Sequence, residues 1–148
     1  IGKIGLHKSH PEDHREYVMF HGCSKEGAEL IKRDGFKPSS ADRMLGAGVY
    51  VSRDIRKAFI RYPLNTPLMT IPDSDRMVLK VKVDVGRVKV IKRQRHPMQK
   101  TWHTEHGFDT AWVPPNVGMV PSNQEEDCVY DPKRIKVLAM LKVPNLKK

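Results

Sequence analysis

Three side chains of types that could bind a sugar and help break a bond at its anomeric carbon are His21, Tyr50 and Glu126. A carboxylate stabilises the oxocarbenium-like charge that develops at a sugar carbon when its glycosidic bond breaks. A tyrosine supplies an aromatic wall for a flat ring, and a histidine supplies a hydrogen bond to a hydroxyl group. Residues of these three types are suited to a site where a glycosidic bond is cleaved.

Each of these residues stands in a short motif beside a predicted strand. His21 follows the apolar run 17–20 and precedes Gly22. Tyr50 lies in the sequence Gly48-Val49-Tyr50, where glycine favours a turn and the β-branched residue after it favours a strand. Glu126 lies four residues before Tyr130 in an acidic-to-apolar run.

The elements around these motifs predict an α+β domain, since strands and helices do not alternate regularly. We expect a strand over 17–20 that delivers His21 to a turn, and then a helix that Ser24 caps and that ends at Asp34-Gly35. A second helix is predicted over 54–61, before Pro63. Alternation of apolar and polar residues, or short apolar runs bounded by turn residues, predicts strands over 49–51, 78–85, 87–91, 108–113, 127–130 and 135–143.

The motifs His21-Gly22, Gly48-Val49-Tyr50 and Glu126 before Tyr130 resemble the catalytic signature of the poly(ADP-ribose) polymerase-like ADP-ribosyltransferases. The resemblance covers most of the chain, from about residue 17 to residue 141. More narrowly, the runs 46–54, 108–115 and 125–130 are similar to the small PARP-like proteins first noted in fish as grass carp reovirus-induced products. This resemblance implies a single domain of short, mostly antiparallel strands in two packed sheets, with a few helices and an NAD cleft.

The resemblance also implies roles for the signature residues. His21 would hydrogen-bond the adenosine ribose, while the backbone N–H and C=O of Gly22 would hold the nicotinamide carboxamide. Tyr50, which follows Gly48 in its motif, would stack on the nicotinamide ring. Tyr62 is a candidate for the aromatic residue on the other side of that ring. Glu126 would bind the 2′-hydroxyl of the nicotinamide ribose and stabilise the cationic transition state; Glu125 beside it is the alternative.

Further positions of the resemblance concern the two ends of the ligand. Ser39 falls where a Gly-Phe-x-x-Ser pattern borders the adenosine pocket, and with Arg43 it would contact the adenosine or the pyrophosphate. Related enzymes often have a serine eight residues after the motif tyrosine, where this chain has Ala58. The substitution removes one predicted hydrogen bond to the carboxamide.

The implied activity is transfer of ADP-ribose from NAD+, as substrate, to a protein or nucleic-acid acceptor, with mono-ADP-ribosylation expected rather than chain growth. A role in the innate antiviral response follows by association with the virus-induced proteins. A different hypothesis, favoured by Ala58, is a module that binds NAD+ or ADP-ribose without turnover. Single histidines and tyrosines are often ordinary packing residues. Packing in the core is therefore the alternative role for these residues, and for Tyr62 in particular.

Composition bounds the remaining expectations. The 148 residues predict one domain over 17–143, with a polar arm over 1–16 and a basic tail over 144–148. Two cysteines, with neither a leader nor a membrane span in the sequence, favour a cytoplasmic or nuclear protein. His96, His103 and His106 lack the cysteine partners of the zinc site found in some of the proteins that the chain resembles, so we expect no metal.

The charge of the chain suits polyanions. Lysine and arginine number 27 against 17 acidic residues, a formal net charge of +10. The densest cluster consists of Lys89, Lys92, Arg93 and Arg95. This cluster predicts either a solvated basic face or a nucleic-acid-binding surface, and nucleic-acid binding is the third functional hypothesis.

Overall fold

The computed structural model describes residues 10–55, 73–117 and 125–142 and has an α+β architecture with two sheets. The single helix of the described residues is α1 (Lys25–Asp34), and short 3₁₀ turns cover Asp73–Asp75 and Pro132–Arg134. The strands are β1 (Glu16–Ser24), β2 (Val49–Val51), β3 (Arg76–Asp84), β4 (Val88–Val90), β5 (Thr110–Val113), β6 (Glu126–Val129) and β7 (Ile135–Lys142).

The first sheet has the order β1-β3-β7 and is antiparallel throughout. The prediction that the first strand ends in a turn at His21-Gly22 is wrong, because β1 continues to Ser24. His21 pairs with Leu79 and Gly22 with Val78 in the ladder to β3. The long apolar strand β3 offers partners along the whole of β1, so the glycine stays extended instead of opening a turn.

Strand β3 carries the alternation that the sequence predicts. Val81 and Val83 are fully buried, whereas Lys80 and Lys82 are exposed. Val81 and Val83 pack in the core with Ala28 of α1 and with Val49 of the second sheet. The opposite face of β3 is exposed at Lys80 and Lys82 but buried at Val78.

Helix α1 begins and ends where the sequence predicts. The Ser24 side chain accepts a hydrogen bond from the Gly27 N–H at 2.9 Å, and Gly35 follows the last turn with a φ of 83°. A serine at the N-cap satisfies an N–H that has no partner inside the helix, and glycine adopts the positive φ without a Cβ clash. Ala28 is the helix residue that is fully buried against the core.

The second sheet has the order β2-β6-β5-β4, with β4 and β5 parallel and the other pairs antiparallel. Its two faces contact different surroundings. Val49, Val51 and Val129 pack toward the first sheet, in the larger core. On the opposite face, Ala111, Val113 and Cys128 pack with Leu45, Ile91 and Trp102.

Two backbone hydrogen bonds join the sheets beside the motif residues. Phe20 N–H donates to Ser52 O at 2.7 Å, and Ser52 N–H donates to Phe20 O at 3.1 Å. This bridge places the second half of β1 against the end of β2. His21 and Tyr50, which are far apart in the chain, therefore meet.

The described end of the predicted arm contacts the segment between β3 and β4 and the first residue of β4. His14 N–H donates to Gly86 O at 2.7 Å, and the Asp13 carboxylate accepts from Val88 N–H at 2.9 Å. Glu16 is already the first residue of β1. The predicted second helix over 54–61 lies almost entirely outside the described residues.

Candidate active site

A cleft of about 540 Å³ lies among β1, α1, β2, the loop between α1 and β2, and the start of β6. It is the place where the predicted site residues converge. Those that line it are His21, Gly22, Ser39, Arg43, Gly48, Tyr50 and Glu126. Tyr62 and Ala58, the other residues on which the predictions depend, lie outside the described part of the chain.

His21 is held from both sides. Its Nδ1 lies 2.8 Å from the Tyr50 carbonyl oxygen, and its ring meets the Phe36 ring edge-on at 5.2 Å. A carbonyl oxygen only accepts hydrogen bonds, so Nδ1 carries the hydrogen. In the neutral imidazole the other nitrogen, Nε2, then has the lone pair. In this tautomer Nε2 is a hydrogen-bond acceptor.

The backbone of Gly22 points toward the cleft side of β1. Phe20, two residues earlier, directs its N–H and C=O away from β3, to Ser52. Backbone groups of alternate residues on an antiparallel strand point to the same edge. The N–H and C=O of Gly22 therefore face away from β3 too, and present one donor and one acceptor side by side.

Tyr50 is fixed through its hydroxyl group. The hydroxyl oxygen accepts from Leu45 N–H at 2.9 Å and donates to Gly46 O at 2.8 Å. Burial, and next the neighbouring Cys128 thiol, raise the pKa of the Tyr50 phenol well above its usual range, so the ring is neutral at physiological pH. The ring is a rigid wall of the cleft, and its hydroxyl is fully engaged with the protein.

Arg43 lies over this wall. Its guanidinium carbon is 5.4 Å from the centroid of the Tyr50 ring, a cation–π distance. The resemblance predicts that Arg43 contacts the adenosine or pyrophosphate of a ligand and that Tyr50 contacts the nicotinamide. In the structure the two side chains are neighbours, so one ring face of Tyr50 already meets a cation.

Ser39 and Gly48 close the loop at the cleft wall. Ser39 donates to Gly48 O twice, from its N–H at 2.8 Å and from its hydroxyl at 2.7 Å. A Cβ added to Gly48 would lie 2.4 Å from Cys128 Sγ and 3.0 Å from Val129 O. The close approach of the loop to β6 thus requires glycine at position 48. Because the Ser39 hydroxyl donates its hydrogen to Gly48 O, it can only accept a hydrogen bond from a ligand.

The two adjacent glutamates lie on opposite faces of β6. Glu126 is half-buried and lines the cleft, and it lies on the same face of the second sheet as Tyr50, through the pairing of Tyr50 with Cys128. Glu125 is buried on the other face. The alternative assignment of Glu125 to the site therefore conflicts with its position.

Glu125 belongs to a group of buried charged residues that the sequence motifs do not reveal. We call Arg53, Glu125 and Asp127 the buried ion cluster. Arg53 donates to the Glu125 carboxylate from its N–H at 2.6 Å, from Nε at 3.0 Å and from Nη2 at 2.6 Å. Trp112 Nε1 donates to it at 2.7 Å. No motif signals this cluster, because its members are ordinary charged residues in sequence.

Asp127 is the unusual member of the buried ion cluster. It is fully buried, and neither carboxylate oxygen has a hydrogen-bond partner among the described residues. Burial, then the charge of Glu125, raise the pKa of Asp127 well above its usual range, although Arg53 opposes the shift. Arg53 is paired with Glu125, and a second buried negative charge beside that pair is disfavoured.

Cys23 also lines the cleft, as a mostly buried residue. Burial raises the pKa of its thiol to about 11. A protonated thiol is a poor nucleophile, so packing rather than covalent catalysis accounts for Cys23.

Neither a scan against protein-family models nor a search of curated proteins found a match for this chain. Within the described residues, no helix has the length and apolar character needed to cross a membrane.

Proposed function

We propose that this protein is an ADP-ribosyltransferase of the PARP-like type, which binds NAD+ in the cleft, releases nicotinamide and transfers ADP-ribose to an acceptor. The observation that carries the proposal is that His21, Tyr50 and Glu126, from three strands well separated in sequence, line one cleft. The volume of about 540 Å³ falls in the usual range of small-molecule sites.

The backbone of Gly22 suits the amide of nicotinamide. An amide presents one carbonyl acceptor and an NH₂ donor on the same edge. The N–H and C=O of Gly22, which face the cleft side of β1, complement this pair. Because the fold fixes both groups before binding, little ordering free energy is lost.

The Tyr50 ring suits the nicotinamide itself. The nicotinamide ring of NAD+ carries a positive charge, which the face of an aromatic ring attracts. The Tyr50 ring already attracts a cation in this way, the Arg43 guanidinium. Binding in the proposed pose moves Arg43 off this face or uses the opposite one. A displaced Arg43 remains near the ligand, where its planar donors match the pyrophosphate.

Glu126 supplies the anion for the chemical step. The bond between C1′ of the ribose and the nicotinamide nitrogen breaks, and its electron pair leaves with nicotinamide, which becomes neutral. Positive charge develops on C1′ and the ring oxygen of the ribose. A half-buried carboxylate at this point stabilises that charge more than a solvated one does. The lone pair of an acceptor then bonds to C1′, and the acceptor gives up its proton to solvent.

The test measures nicotinamide release and incorporation of labelled ADP-ribose by wild type and by Glu126→Ala. We expect the substitution to lower the rate about 10²–10³-fold while NAD+ binding persists. The matched control is Glu29→Ala, an exposed glutamate on α1 outside the cleft, which should behave as wild type. Equal rates in wild type and Glu126→Ala would contradict the role of Glu126.

The position of Arg43 favours a second candidate function, a module that holds ADP-ribose without turnover. The Arg43 guanidinium lies over the Tyr50 ring, in the position proposed for nicotinamide. The same cation could still bind the phosphates of ADP-ribose. Equal thermal stabilisation by ADP-ribose and NAD+, with no nicotinamide released from NAD+, would favour this module over the transferase. Stabilisation by NAD+ accompanied by nicotinamide release would exclude it.

A further inference from the structure

A basic segment lies away from the walls of the cleft. The nine residues from Arg87 to Arg95 hold five cations and no acidic residue. We define the basic surface as these five: Arg87, Lys89, Lys92, Arg93 and Arg95. Four of them are exposed and Lys89 is half-buried.

The cations of the basic surface are not neutralised by the protein. None of the five forms an ion pair with a carboxylate in residues 10–55, 73–117 or 125–142. Other cations do have carboxylate partners, as with Arg33 and Asp34 or Arg134 and Asp109. The positive potential of the basic surface is therefore available to a partner.

Strand and loop cations converge at the edge of the second sheet. Arg87 and Lys89 both lie over the Phe108 ring, at 4.6 Å and 5.7 Å from its centroid. The neighbouring His96 senses the same cations, since burial and then the charges of Lys89 and Arg93 lower its pKa. The cluster in sequence is thus also a cluster in space.

Hydrogen bonds hold the loop that presents the last cations. Arg95 N–H donates to Gln99 Oε1 at 2.6 Å, and Gln99 Nε2 donates to Gln94 Oε1 at 2.8 Å and to Met44 O at 3.0 Å. Arg95 adopts a φ of 62°, in the left-handed region that few side chains enter. A loop fixed in this way loses less conformational entropy when it binds a partner.

We propose that the basic surface binds the phosphate backbone of a nucleic acid, as a site separate from the NAD cleft and independent of the proposed transferase activity. No helix is present among residues 87–109 to enter a major groove. The contacts are therefore to phosphates and carry no base sequence information.

The composition of the surface disfavours two other polyanionic partners. Stable membrane binding adds buried apolar side chains to charge. The exposed large apolar residues of the described chain lie elsewhere: Val18, Leu30, Val117 and Leu138. Protein interfaces are depleted of lysine and have centres poor in charge, unlike this segment, which has five cations among nine residues and no acidic residue.

The experiment measures binding of fluorescein-labelled oligonucleotides of mixed sequence, single-stranded RNA in one arm and duplex DNA in the other, by anisotropy over a salt series without NAD+. If five phosphates are neutralised, log K against log salt has a slope of about −3.5 for the single strand and about −4.5 for the duplex. Binding that does not depend on salt, or no binding to either, would overturn the proposal.

The variant Lys92→Gln/Arg93→Gln removes two contacts and should make the single-strand slope shallower by about 1.4. The matched control is Lys32→Gln/Lys142→Gln, which loses the same net charge from exposed lysines on α1 and β7. The control should keep the wild-type slope. If the slope became shallower by the same amount in both variants, net charge alone would explain the effect, and the assignment of binding to the basic surface would be wrong.

Two further measurements distinguish the basic surface from a second nucleic-acid site and from a membrane-binding surface. Bound phosphates offset Lys89 and Arg93, so NMR titration should give a higher pKa for His96 in the complex, with the resonances of His21 in the cleft unchanged. An unchanged His96 pKa would place the nucleic acid elsewhere. Binding to phosphatidylserine vesicles without binding to either oligonucleotide would overturn the proposal in favour of a membrane surface.

Discussion

The two faces of β6 give neighbouring carboxylates opposite surroundings. On one face Glu126 borders the cleft with Tyr50, where a ligand can reach it. On the other face Glu125 and Asp127 are sealed inside the protein with Arg53. Alternation of side chains along the strand thus places Glu126 at the cleft and Glu125 and Asp127 in the interior.

The buried ion cluster also positions the cleft. Ser52 donates from its hydroxyl to Glu125 O at 2.9 Å and bonds through its backbone to Phe20. Arg53, the next residue, binds the Glu125 side chain. The end of β2, the start of β6 and the middle of β1 are therefore tied at one point, immediately behind the three cleft residues.

The largest effect is expected from breaking the sealed face. Arg53→Met leaves Glu125 and Asp127 buried with no cation of their own, which should lower the free energy of unfolding by about 3–5 kcal/mol. Urea denaturation followed by circular dichroism measures it. The control, Arg33→Met, removes an exposed arginine paired with Asp34 and should cost less than about 1 kcal/mol. Equal costs would show that the cluster contributes no more than a surface pair.

A smaller effect, dependent on pH, should come from Asp127→Asn. Because the pKa of Asp127 is raised in the folded state, the folded protein binds more protons than the unfolded one above the ordinary carboxyl pKa. The contribution of Asp127 to the free energy of unfolding should therefore be fully present below about pH 4 and be lost as pH rises toward the folded-state pKa, by at most about 1.4 kcal/mol per pH unit.

Asparagine does not titrate, so the Asp127→Asn variant should lack this part of the fall. Unfolding free energies of both proteins between pH 4 and pH 8 test the prediction. Glu125, Arg53 and Glu126 are charged groups that act on Asp127, and the variant leaves all three in place. Parallel curves for the two proteins would mean that Asp127 is ionised in the fold.

The smallest effect is expected on the open face, from Tyr50→Phe. The substitution keeps the aromatic wall but removes the hydrogen bonds to Leu45 N–H and Gly46 O. We expect a loss of about 1–2 kcal/mol in unfolding free energy, with NAD+ affinity nearly retained. Tyr50→Ala should abolish NAD+ binding in calorimetry, and comparable affinities for the two variants would remove the ring from the binding site.

Local signals in the sequence predict much of the fold. Ser24 and Gly35 delimit α1 through hydrogen bonding and a positive φ, which depend on a few adjacent residues. The alternation around Val81 and Val83 identifies β3 and its buried face. The predicted end of β1 at Gly22 is wrong, since the partner strand, which is remote in sequence, decides how far a strand extends.

The candidate site divides in the same way. The motifs at His21, Tyr50 and Glu126 indicate the residue types for an NAD-binding cleft, and all three line one cleft in the structure. The choice of Glu126 over Glu125 depends on which face of β6 meets the first sheet. The contact of Arg43 with the Tyr50 ring depends on how the loop before β2 folds back.

The sequence by itself determined the helix with its caps, the alternating strand β3, the net charge of +10 and the residue types of the cleft. These features follow from local backbone preferences and from composition. Only the tertiary structure decided that Arg53 would neutralise Glu125 and that Asp127 would be buried beside them. Contacts of this kind join residues far apart in the chain, and their energies depend on burial, which no local pattern encodes.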